Sequence, residues 1–204
     1  MDWRFRVGKK VVAIVGCYRK GGTTDTAVEA ILEGAREKGA ETHTIYLILE
    51  HLEFCTNCRR CTQEPGAERG KCPHQDNLEP ILAEIEAADA VVIGSPVNQG
   101  NITAISRLFL ERLGGFLYWP WGQAAPVARS KQARRKAALV SSCAMPGMLL
   151  PLVTGAPWAL RKTAQLLGAK PVGHLWIGSA AQRQHNPLSE RNLKRARELG
   201  RKLA

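Results

Sequence analysis

The sequence predicts a three-layer α/β fold, a five-stranded parallel sheet between two layers of helices. Three observations predict it. Five short apolar runs alternate with stretches of helical periodicity along the 204 residues. Two of those runs, Val11–Val15 and Ala90–Gly94, are apolar without alternation, as strands buried on both faces are. Length and strand count then favour the order 2-1-3-4-5 over a six-stranded dinucleotide fold. A composition that is 45% hydrophobic and 23% charged suits one globular domain over residues 1–204.

The elements follow in order. The run Val11–Val15 ends at Gly16, and the loop Cys17–Gly22 leads into a helix capped by Thr23 or Thr24 and running to about Lys38. Thr42–Leu47 is the second strand. From Glu53 to Asn77 no periodicity exists, and a cysteine-rich insertion occupies about residues 54–76. Leu78, Ile81, Leu82 and Ile85 stand at helical spacing over Leu78–Ala88. Ala90–Gly94 is the third strand, Ser95–Asn101 a loop, and Thr103 opens a helix to Leu113. Gly114–Ser130 is irregular, with Trp119 and Trp121 around Pro120; these suit internal packing, a subunit contact or a lid. Ala137–Ser141 is the fourth strand, followed by a loop, helical sequence to Leu167, a fifth strand Pro171–Ile177, and a basic helix over Pro187–Leu203 opened by Asn186 or Ser189. This is the flavodoxin-like order, in which a ligand lies beyond the carboxyl ends of strands 1 and 3.

Several classes are excluded. The run Met148–Leu160 is interrupted by Pro151, Gly155 and Pro157 and is too short to cross a bilayer. Residues 1–10, MDWRFRVGKK, lack the apolar core of a signal peptide, so a cytoplasmic protein is expected. None of the five histidines pairs with another at metal-binding helical spacing, and no Ser-His-Asp order suggests hydrolysis. Charge is uneven. Residues 1–120 carry 14 Lys/Arg and 16 Asp/Glu, whereas residues 121–204 carry 15 and 2. The clusters are Arg129, Lys131, Arg134, Arg135, Lys136 and Arg191, Lys194, Arg195, Arg197, Arg201, Lys202. Such a half suits an anionic partner, a phosphorylated nucleotide or an acidic redox protein, or is simply a solvated face. No nucleic-acid-reading motif accompanies it.

Two loops at the expected switch point carry chemistry. The first, GCYRKGGTT over 16–24, places two glycines before a helix N-terminus, where backbone amides, hydroxyls and the helix dipole receive a phosphate; Arg19 adds a fork for phosphate oxygens. It is not a Walker loop. The second, GSPVNQGNIT over 94–103, offers Ser95, Asn98, Asn101 and Thr103 on a backbone stiffened by Pro96 and turned at Gly100, and it can lie along a flat ring. Cys55, Cys58, Cys61 and Cys72 read C-x2-C-x2-C-x10-C. Without a secretory signal this spacing suits a [4Fe-4S] cluster, free or redox-active thiols, or zinc.

These motifs resemble the NADPH-dependent FMN reductase family of flavodoxin-like proteins over most of residues 10–178, and CTNCRRC resembles its iron-sulfur flavoprotein branch. The family's first loop commonly reads G-S-P-R-x-x-G-N-T. The resemblance implies that Cys17, Arg19, Gly22, Thr23 and Thr24 hold the FMN phosphate, with Cys17 in place of Ser and Thr23 in place of Asn. The second loop commonly reads G-S-P-V-Y-x-G-x-x-S. It implies that Ser95, Pro96, Val97, Asn98, Gly100, Asn101 and Thr103 pack on the isoalloxazine, with Asn98 in place of an aromatic residue. Ser142 and Cys143, after the fourth strand, would approach the pyrimidine end. In the iron-sulfur branch the four cysteines would be metal ligands, and Arg59, Arg60, Arg69 and Lys71 would offset their charge. The implied function is electron transfer between NAD(P)H and a flavin, quinone or other small acceptor, with a cluster-linked electron carrier as the alternative. No catalytic residue is required, and the expected assembly is a dimer or tetramer.

Overall fold

A computed structural model describes residues 8–130, 132–182 and 186–204. Lys131 of the first basic cluster and His185 lie outside the described residues. The chain runs β1 (Lys10–Val15), α1 (Thr23–Arg36), β2 (Glu41–Tyr46), α2 (Leu78–Glu86), β3 (Ala90–Gly94), a small hairpin β4 (Val97–Asn98) and β5 (Asn101–Ile102), and α3 (Ala104–Arg112). It continues through a second two-residue pair, β6 (Leu117–Tyr118) and β7 (Val127–Ala128), then β8 (Arg135–Ser142), α4 (Leu150–Val153), α5 (Ala156–Leu166), β9 (Ala169–Ile177) and α6 (Glu190–Leu203).

The main sheet has the order β2-β1-β3-β8-β9, all parallel, as the sequence predicts. Its two faces divide each strand by alternate residues. Val11, Ala13 and Val15 of β1 pack with Ala27, Val28 and Ile31 of α1 and with Ala196, Leu199 and Leu203 of α6. Val12 and Ile14 face the opposite layer, with Leu82 and Ile85 of α2, Phe109 of α3 and Leu160 of α5. This two-sided burial is why β1 and β3 read as unbroken apolar runs, whereas the edge strand β2 is mostly half-buried or exposed. Among the described residues no helix is long and apolar enough to cross a membrane.

Most element ends shift by one or two residues from the sequence reading, and three differences have a clear cause. Gly22, not a threonine, is the N-cap residue of α1, and it contributes no side-chain bond; the threonine hydroxyls are used elsewhere. The helical sequence after β8 is split. Thr154 is extended, Gly155 restarts the chain with its N–H donated to the Gly100 carbonyl at 2.8 Å, and Pro157 sits in the first turn of α5, where its missing N–H costs nothing. The last helix starts at Glu190, not Pro187, because Ser189, one of the two expected openers, caps it, its hydroxyl accepting from the Asn192 N–H at 3.3 Å.

Candidate functional site

Three loops meet at the carboxyl ends of β1, β3 and β8. The first turns at Gly21, whose φ of 72° suits glycine, and its N–H donates to Asp25 Oδ2 at 2.7 Å. Asp25, in the first turn of α1, thus reaches back and fixes the loop. Its role was not read from sequence, although an acidic residue just inside a helix N-terminus is a recognised signal. Cys17 is buried and its thiol donates to the Arg19 carbonyl at 3.3 Å. Burial, then the Asp25 charge, push that thiol up to about 11, so it is a neutral packing group. Arg19 is exposed.

The threonines reach other loops. Thr24 and Ser142 hydroxyls share a buried hydrogen bond of 2.8 Å, which brings the loops after β1 and β8 together. The Thr23 hydroxyl donates to the Asn186 carbonyl at 3.4 Å, and Asn186 Nδ2 donates to the Ser179 carbonyl at 2.9 Å. Asn186 therefore ties the chain after β9 to the first loop instead of opening a helix.

The loop after β3 is a two-residue hairpin. Gln99 and Gly100 both have positive φ, 47° and 77°, the turn whose twist matches antiparallel strands and which favours glycine. Ser95 and Thr103 are wholly buried. Their hydroxyls lie 3.3 Å apart, the Thr103 N–H donates to Ser95 Oγ at 3.1 Å, and Thr103 Oγ1 donates to the Gly16 carbonyl at 2.6 Å. Ser141 Oγ donates to the Ser95 carbonyl at 2.7 Å. These two side chains brace the loop from behind, while Pro96 and Val97 are half-buried and Asn98 and Gly100 are exposed. Asn101 is half-buried; its Oδ1 accepts from the Ile102 N–H at 2.8 Å, and its side chain lies against Gly155. Cys143 is buried with its thiol donated to the Met145 carbonyl at 3.3 Å, and burial pushes it up.

The cysteine segment is built differently. Residues 50–77 hold one short 3-10 turn, Arg60–Thr62, and no other helix or strand. Cys55 and Cys58 are exposed, Cys61 and Cys72 half-buried, and all are free thiols. The Cys61 thiol is pushed up by burial and then by the charges of Cys72, Cys55 and Cys58. Among the described residues no group of three or more His, Cys, Asp or Glu is placed to hold a metal ion. Asn57 and Arg59, on either side of Cys58, adopt left-handed backbone, φ 54° and 59°.

Arginines hold this segment. Arg59 lies between Trp119 and Trp121, its guanidinium carbon 3.9 and 4.2 Å from their ring centres, and donates to the Trp119 carbonyl at 2.6 Å. The two tryptophans are thus a socket for the cysteine segment. Arg129 donates to the carbonyls of Cys61, Glu64 and Gly66. Gly70 passes so close that a Cβ would stand 1.9 Å from the Cys61 carbonyl oxygen. Arg69 pairs with Glu79 and Glu86, at 2.8 and 3.1 Å. Arg112 at the end of α3 touches a thiol directly, donating to Cys72 Sγ at 3.3 Å. Buried side-chain nitrogens without a hydrogen-bond partner occur at Arg59 Nε and Arg112 Nε, both at this segment. Arg112 escaped the sequence reading, and Arg129 was read only as part of a basic cluster, because both lie far along the chain from the cysteines.

Several known proteins are similar to this chain. An iron-sulfur flavoprotein of Methanocaldococcus jannaschii is 35% identical over 103 residues, covering 50% of this chain and 51% of that protein. The chain spans about half the length of the iron-sulfur flavoproteins that it matches. An NAD(P)H dehydrogenase (quinone) of Methanosarcina barkeri is 27% identical over 200 residues, 88% of this chain and 89% of that protein. Among solved structures, an azoreductase from Bacillus anthracis superposes with a TM-score of 0.71 at 18% identity, over 95% of this chain and 99% of that one, a likeness of fold. The family model for NADPH-dependent FMN reductase matches residues 9–182. With that match laid over a β2-β1-β3-β8-β9 sheet and its three switch-point loops, the chain belongs to the NADPH-dependent FMN reductase family.

Proposed function

We propose that this chain binds FMN noncovalently across the three loops and transfers reducing equivalents from NAD(P)H to a flavin, quinone or other small acceptor. The observation that carries the reading is the N-terminus of α1. Gly22 caps it without a side chain, which leaves first-turn amides for an anion, and the Thr24–Ser142 bond seats the loop after β8 beside it. Arg19 and the amides around Gly22, Thr23 and Thr24 bind the phosphate. Pro96, Val97, Asn98, Gly100 and Asn101 present a flat wall to the ring, with Ser95 and Thr103 behind it. Bound FMN supplies hydride acceptance and donation; the protein's residues orient it and exclude water. NAD(P)H turnover with a quinone, and quenching of flavin fluorescence on binding, test this reading. Purified protein that neither quenches FMN nor shifts its melting temperature with FMN would end it.

A second reading adds a [4Fe-4S] cluster at Cys55, Cys58, Cys61 and Cys72, which supplies one-electron transfer when bound. It is favoured by the C-x2-C-x2-C-x10-C spacing and by the orphaned Nε of Arg112, whose Nη2 already donates to Cys72, a donor that fits an anionic, sulfide-bearing group. Arg59 and Arg129 place positive charge at the same segment. Anaerobic protein carrying about four iron and four sulfide per chain supports it; iron-free protein after reconstitution refutes it. A cytoplasmic location, a dimer or tetramer, and electron delivery to an acidic redox protein through the basic face complete the proposal. Sedimentation and salt-dependent complex formation test the last two.

A further inference from the structure

We propose that Arg112 is the positioning residue of the fourth cysteine, clasping the two ends of the cysteine segment and donating an N–H···S bond to Cys72 in the cluster-bound protein. The proposal rests on the second reading above. Beyond Thr62 the gap from Cys61 to Cys72 has no helix or strand, and the Gly70 N–H, donated to the Gly115 carbonyl at 2.9 Å, holds the backbone two residues before Cys72. Arg112 reaches its thiol from the last turn of a core helix. Its Nη2 donates to Cys72 Sγ at 3.3 Å and to Asp76 Oδ1 at 3.2 Å, and its Nη1 donates to Asp76 Oδ2 at 2.5 Å and to the Glu53 carbonyl. Asp76 in turn accepts from the N–H groups of Glu53, at 2.8 Å, and Leu78, at 3.1 Å. Residues 53 and 78 bound the segment, so one ion pair closes the whole loop.

That pair is buried, with side-chain exposures of 0% for Arg112 and 1% for Asp76. A buried ion pair is a poor source of stability compared with apolar packing, and its best-attested use is to fix geometry. Nε of Arg112 has no hydrogen-bond partner, a costly arrangement for a buried donor. An acceptor supplied by a bound group would relieve it. Hydrogen bonds to ligand sulfurs are one of the means by which a protein sets a cluster's potential, and a cationic donor moves that potential upward.

The test uses the full chain reconstituted anaerobically with iron and sulfide, as wild type, Arg112→Gln, Arg112→Lys and Cys58→Ser. Iron and sulfide per chain, loss of iron to a chelator, the potential of the bleaching absorbance, and FMN content as a folding control are read for each. We expect Cys58→Ser to lose its iron and keep FMN. Arg112→Gln should keep FMN, release iron about 10- to 100-fold more readily, as outer-shell replacements do, and show a more negative potential for the iron retained. Arg112→Lys, which keeps the charge and loses the fork, should retain the potential better than the iron. Arg112→Gln with wild-type iron retention and an unshifted potential overturns the role of Arg112 and leaves the cluster reading standing. If Arg112→Gln lacks FMN, Arg112→Lys decides by the same two readouts. Iron-free wild type overturns the cluster reading and this role of Arg112 with it.

Discussion

The switch-point loops and the cysteine segment are two ways of holding reactive groups in one molecule. The loops leave strands of the main sheet, and their positions are set by β1, β3 and β8, with buried hydroxyls of Ser95, Thr103, Ser141 and Thr24 joining them across 2.6–3.3 Å. The cysteine segment leaves no central strand and has almost no backbone ladder of its own. Arg59, Arg112 and Arg129 hold it through carbonyls, one carboxylate and two indole rings. The sheet-anchored loops are joined to one another by neutral hydroxyl bonds, with the Asp25 carboxylate bracing the first loop from within. A segment held by charge depends on each ion pair, so single substitutions there have large effects.

The largest expected effect tests that contrast directly. Asp76→Asn leaves Arg112 buried without its partner and should cost about 3–5 kcal/mol. Hydrogen exchange should locate the loss at the Glu53 and Leu78 amides. An equal rise in exchange at the β1 amides would show that the segment and the sheet unfold as one unit. The same pair predicts acid sensitivity. Burial opposes ionisation of Asp76, yet its bonds from Arg112 hold the carboxyl below its ordinary value. A depressed carboxyl contributes stability above the ordinary carboxylate range, and that contribution is lost as pH falls through the folded value. The segment should therefore open at the acid end, read by Trp119 and Trp121 fluorescence, before the sheet melts.

Next in size is Arg19→Ala. A charge-assisted phosphate contact is worth about 1.5–3 kcal/mol, so FMN should weaken by about 10- to 150-fold while riboflavin changes little. Equal losses for both flavins would remove Arg19 from the phosphate. Arg59→Ala removes two cation–π contacts and should cost about 1–2 kcal/mol, with a shift in tryptophan emission as the socket empties. An unchanged emission would mean that the tryptophans do not need Arg59 to order them. The smallest effect is ionic. Affinity for NADPH should fall between low and high salt as the basic face is screened; a flat response would assign that face to another partner.

The reading from sequence was good wherever a local pattern carries the structure. The apolar runs of β1 and β3 announce strands buried on both faces, helical spacing over Leu78, Ile81, Leu82 and Ile85 announces α2, and the two glycine-bearing loops announce the switch point. Ser95 and Thr103 were legible as members of the second loop, but not as its buried brace. That role needs Gly16, 87 residues from Thr103, as acceptor.

What the sequence by itself determined is the layer order, the core and the positions of the loops, because each depends on a period of two or of about four residues that any short window displays. Only the tertiary structure decided how the cysteines are held. Arg112 meets Asp76, Cys72 and Glu53 across separations of 36, 40 and 59 residues, and Arg59 meets Trp119 across 60. A charged side chain at the end of one helix has no periodic signature that names its partner. Its partner is chosen when the sheet closes, because a guanidinium sealed from water must then satisfy its donors with whatever acceptors the surrounding loops bring within reach.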